Sequence, residues 1–187
     1  MLVFVYGTLK SGEPNHHVMS ATAGTHRFIS NGTTVDKFPL IISTQFNIPF
    51  LLHKPGEGNK IEGEVYEVDG VKLAVLDELE AYPTLYDRKE IKIKLSADGN
   101  TVAASLYLLK RWREELVTSG TPYLTNYSSN GPHGRQYVDR YVRAKEIIDD
   151  HTSKTNLYYE ILGGPPADPI LRKLNEQKAK VDLELPQ

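Results

Sequence analysis

Glu80 closes a stretch, residues 71–80, in which Leu73, Leu76 and Leu79 recur every third position. On a helix of about 3.6 residues per turn these leucines form one apolar stripe. Glu78 falls on the opposite side, where water solvates a charge, and Asp77 falls at the stripe's edge. Glu80 stands four residues after Leu76 and projects from the stripe itself. A carboxylate carried into an apolar setting must find a partner or shift its pKa upward. Beside a hollow, such a group suits general acid/base work near neutral pH. The alternative is a helix-ending glutamate that turns to water and pairs with Arg88 or Lys72.

A second feature lies at the start of the chain. Residues 2–6 are apolar on both alternating faces, as in a fully buried strand, and the run ends in Tyr6-Gly7-Thr8-Leu9. Gly7 permits positive φ and a close approach of backbone to ligand. Successive N–H groups at such a bend form a concavity that suits a carboxylate or a developing oxyanion. Thr8 adds a hydroxyl donor and Tyr6 a phenol. An ordinary glycine turn is the other reading.

The elements that must position these groups are strands with few helices. Pro14 is placed to open a short helix through His17 and Met19. Asn31-Gly32 reads as a turn and residues 40–42 as a buried strand. Residues 54–59 form a loop, and residues 62–68 alternate as a strand with one wet face. Asp69 then caps the helix over 71–80, which Pro83 helps to stop. Residues 90–95 and 101–109 flank Ala97-Asp-Gly-Asn100 as a hairpin. A polar loop spans 118–134, helical periodicity runs over 135–150, and residues 163–169 read as a linker. Together these predict an α+β fold around a small mixed, curled or barrel-like sheet, with a C-terminal helical extension.

Bulk properties narrow the classes of function. The chain has 187 residues, 40% hydrophobic and 25% charged, an ordinary balance for one domain with an appended tail. It has no cysteine, which removes disulfides, thiolate nucleophiles and cysteine zinc sites and fits a reducing compartment. A formal charge of -2 gives no field that attracts nucleic acid or anionic membrane. No apolar run approaches the ~20 residues needed to span a bilayer, and no basic n-region precedes the first strand. Cytoplasmic placement is the expectation. Gly56-Glu-Gly58 lacks the third glycine of a dinucleotide fingerprint, because Ile61 stands there. His16 and His17 would point about 100° apart on a helix, so neither they nor any His-Glu-x-x-His predicts a metal. Arg135, Arg140 and Arg143 interleave with Tyr137 and Tyr141, but Asp139, Glu146 and Asp149 dilute that charge.

The run Val3-Phe-Val-Tyr-Gly-Thr-Leu-Lys-Ser-Gly-Glu-Pro-Asn-His16 resembles the opening of the γ-glutamyl cyclotransferase-like family, in its amine-directed branch. The resemblance continues through Asn47-Ile-Pro-Phe50, Glu62-Gly-Glu-Val-Tyr66, Leu76-Asp-Glu-Leu-Glu80 and Leu85-Tyr-Asp-Arg88. It returns at Tyr127-Ser-Ser-Asn-Gly-Pro-His-Gly134. It covers most of the chain to about residue 137, which sets a family domain at 1–143 and an extension without assigned role at 144–187. The resemblance implies that Tyr6, Gly7, Thr8 and Leu9 bind the γ-glutamyl part and that Glu80 is the acid/base. Tyr86, Arg88, Tyr127 and His133 are candidates for the pocket wall, with Arg88 either pairing a substrate carboxylate or bracing Glu80. It implies a small-molecule γ-glutamyl substrate and no cofactor. The implied reaction converts γ-glutamylamines, such as ε-(γ-glutamyl)lysine, to 5-oxoproline and the free amine. The alternatives are a cyclotransferase for γ-glutamyl α-amino acids or glutathione-like substrates, and a non-catalytic binding module of the same fold.

Overall fold

A computed structural model describes residues 1–139 and 157–164. Strands β1 (Leu2–Val5), β2 (His26–Phe38), β5 (Asn59–Val68), β6 (Tyr86–Leu95) and β7 (Thr101–Leu109) close into a barrel of order β1-β5-β2-β6-β7. Antiparallel ladders make four of the joints, and a parallel pairing at Val3↔Ser105 closes β1 on β7. A separate hairpin of β3 (Leu40–Ser43) and β4 (Ile48–Leu51) lies outside the barrel. The helices are α1 (His17–Ala21), α2 (Gly70–Leu79), α3 (Glu114–Thr118) and α4 (Leu157–Leu162). The expected α+β barrel-like architecture is therefore the one observed.

Two-residue alternation sorts β1 between two apolar clusters. Val3 and Val5 join Met19, Tyr66, Leu76, Tyr107 and Ile161, whereas Phe4 and Tyr6 join Ile61, Val65, Ile93 and Leu106. A strand covered on both faces has no place for a polar residue, which is why 2–6 reads as an unbroken apolar run. The hairpin predicted over 90–109 is present, with Lys94↔Thr101 beside its turn, although β6 starts earlier, at Tyr86.

Asn31-Gly32 is not a turn. Both residues lie inside β2, where Gly32 pairs with Gly63 of β5 on one side and with Leu95 of β6 on the other. The dipeptide fits a hairpin only if the chain folds back on itself, and here two other strands hold it extended. A Cβ on Gly32 would come within 2.6 Å of the Ile93 side chain. On Gly63 it would meet the Val5 carbonyl oxygen and, at 2.6 Å, the Phe4 ring. The glycines let the strands close at this corner. Gly63→Ala is therefore expected to destabilise the barrel by about 1–3 kcal/mol, read as a lowered midpoint in chemical denaturation.

The helix predicted over 135–150 is not formed where the structure describes it. Residues 134–139 run without regular structure along the β3–β4 turn, with Val138 N–H donating to the Phe46 carbonyl at 3.1 Å and Asn47 Nδ2 to the Gln136 carbonyl at 2.8 Å. Tertiary hydrogen bonds override the local periodicity there; residues 140–150 lie outside the described part. Of the 163–169 linker, only Gly163 and Gly164 are described. Helix α4, from the segment expected as an extension, docks on the barrel domain with Ile161 fully buried.

Candidate active site

Helix α2 is held at both ends. At its start Asp69 caps Lys72 N–H at 2.7 Å and accepts from the N–H and hydroxyl of Thr25, both at 2.9 Å. The Lys72 amide leads the groups that draw the Asp69 carboxyl below its ordinary value. At the other end Glu80 is the C-cap, and its N–H reaches the Leu76 carbonyl at 3.0 Å. Ala81 follows at φ 49°, with Ala81 N–H bonding Glu78 O at 3.1 Å and Tyr82 N–H bonding Asp77 O at 2.9 Å. That pair of bonds is a Schellman stop, whose left-handed position usually belongs to glycine. Ala81→Gly is accordingly expected to raise stability by about 0.5–1 kcal/mol, seen as a higher thermal midpoint.

Leu76 is fully buried and Leu73 and Leu79 are half-buried, so the leucine stripe faces the apolar cluster it predicts. Glu80 continues that stripe into a cavity of about 300 Å³, near the lower end of the roughly 300–1,000 Å³ of small-molecule sites. Tyr6, Gly7, Thr8 and Leu9 line the same cavity, together with Tyr86. Two features of the sequence separated by about seventy residues thus share one hollow. Among the described lining residues Glu80 is the sole charged side chain. Its negative charge is felt by the Tyr6 and Tyr107 hydroxyls. Burial first, and this carboxylate second for Tyr6, push their pKa values up.

The loop after β1 uses its carbonyls internally. Lys10 N–H donates to Gly7 O at 3.2 Å, Asn15 N–H to Thr8 O at 2.9 Å, and the His16 ring nitrogen meets Leu9 O at 3.0 Å. Among the described residues no hydrogen bond uses the N–H of Gly7, Thr8 or Leu9. Gly7 is not in the left-handed region, contrary to the freedom expected of it. Its need for glycine is a close approach, since a Cβ would lie 3.1 Å from Pro49 Cγ. The Tyr6 hydroxyl is committed to the Tyr107 carbonyl at 2.8 Å, so it offers the cavity no free donor.

Arg88 does not brace Glu80. Its Nη1 donates to both Asp77 oxygens at 2.7 Å, and its guanidinium lies 4.9 Å from the Tyr82 ring centroid. Tyr107 donates to Asp77 Oδ1 at 2.7 Å. Lys72 is likewise committed, to Val18 O, Thr22 O and Thr22 Oγ1. Tyr127 and His133 also lie outside the lining. Tyr127 is 1% exposed in the cluster around Phe4, and its ring stacks on His133 at 6.4 Å. His133 Nδ1 accepts Arg135 N–H at 3.0 Å, so Nε2 carries the hydrogen donated to Ser128 O at 2.7 Å. These two residues fasten the loop over 127–135.

Several lining residues stand outside the candidates drawn from the sequence. Asn15 Nδ2 donates to Thr8 Oγ1 at 2.9 Å and to the Tyr137 hydroxyl at 3.1 Å, joining two walls. Pro49, Tyr107, Leu157 and Tyr158 also line the cavity. Asn15 sits within the family-like opening run, and Asp77 marks the edge of the stripe, so these two are within reach of the sequence. Among the described residues no group of three or more His, Asp or Glu is arranged to hold a metal. No described helix is long and apolar enough to cross a membrane.

Comparison with known proteins gives the family. Residues 3–128 match the family described as gamma-glutamyl cyclotransferase, AIG2-like. The gamma-glutamylaminecyclotransferase of Rattus norvegicus is 41% identical over 145 residues, covering 74% of this chain and 96% of that protein. The Homo sapiens protein of the same name is 40% identical over 148 residues, covering 74% and 97%. The crystal structure of an AIG2-like protein from Mus musculus superposes with a TM-score of 0.70 at 40% identity, over 74% of this chain and 95% of that one. The cavity that joins Glu80 to the Tyr6–Leu9 bend therefore sits in a chain that belongs to the gamma-glutamyl cyclotransferase, AIG2-like family.

Proposed function

We propose that this protein is a cyclotransferase that releases the amine from γ-glutamylamines and closes the glutamyl part into 5-oxoproline. The observation that carries the reading is the convergence of Glu80 and the Tyr6–Leu9 bend on one cavity whose described walls hold no other charge. The substrate's own α-amine is the nucleophile. It adds to the γ-carbonyl carbon, a five-membered lactam forms, and the bond to the leaving nitrogen breaks. No water is consumed and no cofactor is needed. Glu80 takes the proton that the α-amine sheds and returns it to the departing amine, help worth about 10²–10⁴ in rate. The Gly7, Thr8 and Leu9 amides are donors to an anionic oxygen of the substrate. Holding the glutamyl chain folded supplies the orientation that the flexible molecule lacks in water.

A γ-glutamyl α-amino acid would bring a carboxylate beside the scissile nitrogen. The described lining offers it no lysine or arginine, which favours amines over amino acids. ε-(γ-Glutamyl)lysine, the fragment that proteolysis leaves from cross-linked proteins, fits because its second carboxylate lies a four-carbon stem away. The cysteine-free composition suits this work in the reducing cytoplasm. The test is to incubate purified protein with ε-(γ-glutamyl)lysine and with γ-glutamylalanine and to quantify 5-oxoproline and the released amine. Turnover of the first by at least about ten-fold over the second is expected; turnover confined to γ-glutamylalanine would move the assignment to amino-acid substrates, and silence on both would remove it.

A further inference from the structure

Helix α4 lies after the family match, which ends at residue 128, and relatives that cover 74% of this chain do so with 96–97% of their own length. Yet Leu157 and Tyr158 of α4 line the same cavity as Glu80. The helix is fixed there by several independent contacts. Ile161 is 0% exposed in the cluster with Val3 and Leu76. Arg113 N–H donates to the Ile161 carbonyl at 2.7 Å and its Nη1 to the Tyr159 carbonyl at 3.3 Å. The Glu160 carboxylate accepts from Gln45 N–H and Gln45 Nε2, each at 3.0 Å. Gln45 precedes Phe46, another lining residue, so α4 also staples the β3–β4 turn that carries part of the wall.

The lining divides by chemistry. Glu80, Thr8, Asn15 and the Gly7–Leu9 amides are polar and match the ammonium and carboxylate of a glutamyl group. Phe46, Ile48, Pro49 and Leu157 are apolar, and Tyr158 is half-buried with its hydroxyl pKa raised by burial. A γ-glutamylamine has one part left for that second surface, the carbon stem of its leaving amine. We propose that α4 is a specificity element of this enzyme, in which Leu157 and Tyr158 form the wall that holds an alkyl or arylalkyl stem on the leaving nitrogen. This assignment rests on the cyclotransferase reading. Amines with a stem of several carbons are selected over short ones, and the lysine side chain is one such stem.

The test compares γ-glutamyl-n-butylamide with γ-glutamylmethylamide, which share the reacting groups and differ in apolar length. Full-length protein should favour the butylamide by about 10–100-fold in kcat/KM. Leu157→Ser combined with Tyr158→Ser should shrink that ratio by about ten-fold or more, the butylamide losing more than the methylamide. Ile161→Ser, which removes the anchor without lining the cavity, should shrink the ratio in the same way. A ratio unchanged in both variants would overturn the assignment of α4. A general loss of activity does not alter a ratio, so a purely structural role reads differently. Should the wild-type protein turn over no γ-glutamyl amide, the proposed function fails instead. The wall is then judged by calorimetric binding of the same two amides, where equal affinity in the wild type overturns it.

Discussion

Glu80→Gln should leave the barrel intact and lower kcat by about 10²–10⁴. The substitution keeps the size of the side chain and its reach into the cavity. The cap bonds around it, from Glu80 N–H to Leu76 O and from Ala81 N–H to Glu78 O, are backbone and do not change. What disappears is the capacity to accept a proton, and with it the proposed route from the substrate α-amine to the leaving nitrogen. KM should move far less, because the amides after β1 and the apolar wall, the proposed binding groups, are left in place. A fall in kcat with an unshifted thermal midpoint separates lost chemistry from lost fold. Glu80→Asp, which withdraws the carboxylate by one methylene, should recover part of the rate without restoring it, since misplacement of about 1 Å costs on the order of 10²-fold.

Asp77→Ala is expected to harm both stability and rate. Asp77 is the acceptor that ties the last turn of α2 to Arg88 of β6 and to Tyr107 of β7. With side-chain exposures of 24% for Asp77 and 21% for Arg88, the pair is largely withdrawn from water. Removing the carboxylate strands the guanidinium, at a cost of about 2–3 kcal/mol, below that of a fully buried pair because some solvent reaches it. Glu80 lies three residues further along, so a loosened turn should also lower kcat/KM by about 10–100-fold. Replacing both partners, as in Asp77→Leu with Arg88→Met, should regain most of the stability, because no charge is then left without a counterpart. Denaturation midpoints of the single and double variants read the coupling. Additive losses would show that the pair does not act as a clamp.

Much of this fold is readable because its signals are local. The β6–β7 hairpin carries clean alternation around a turn sequence, and α2 carries a cap, a stripe and a proline beyond its end. The stripe alone points Glu80 into the apolar side, where the cavity lies. Misreadings arise where distant chain decides. Asn31-Gly32 has the chemistry of a turn, yet flanking strands on both sides hold it extended. Residues 135–139 have helical spacing but give their hydrogen bonds to the β3–β4 turn. Proximity along the chain suggests Arg88 as a partner for Glu80, whereas Asp77, a carboxylate one turn earlier, outcompetes it. Tyr127 and His133 are aromatic and polar enough to suit a pocket, and they serve to pack a loop. Nothing in the spacing of residues 157–162 announces that they return to the site, because the contacts that bring them there, Ile161 to the core and Glu160 to Gln45, join segments more than a hundred residues apart.

Intramolecular attack and hydrolysis leave different marks on the product, and that difference can be weighed. Purified protein should be incubated with ε-(γ-glutamyl)lysine in water enriched in heavy oxygen, and the glutamyl product analysed by mass spectrometry. The expected product is 5-oxoproline without label, formed in equal amount to free lysine and about 10²–10⁴ more slowly in Glu80→Gln. Labelled glutamate as the first product would mean that water, not the substrate amine, is the nucleophile, and would contradict a Glu80 that shuttles the proton of the substrate's own amine within its cavity.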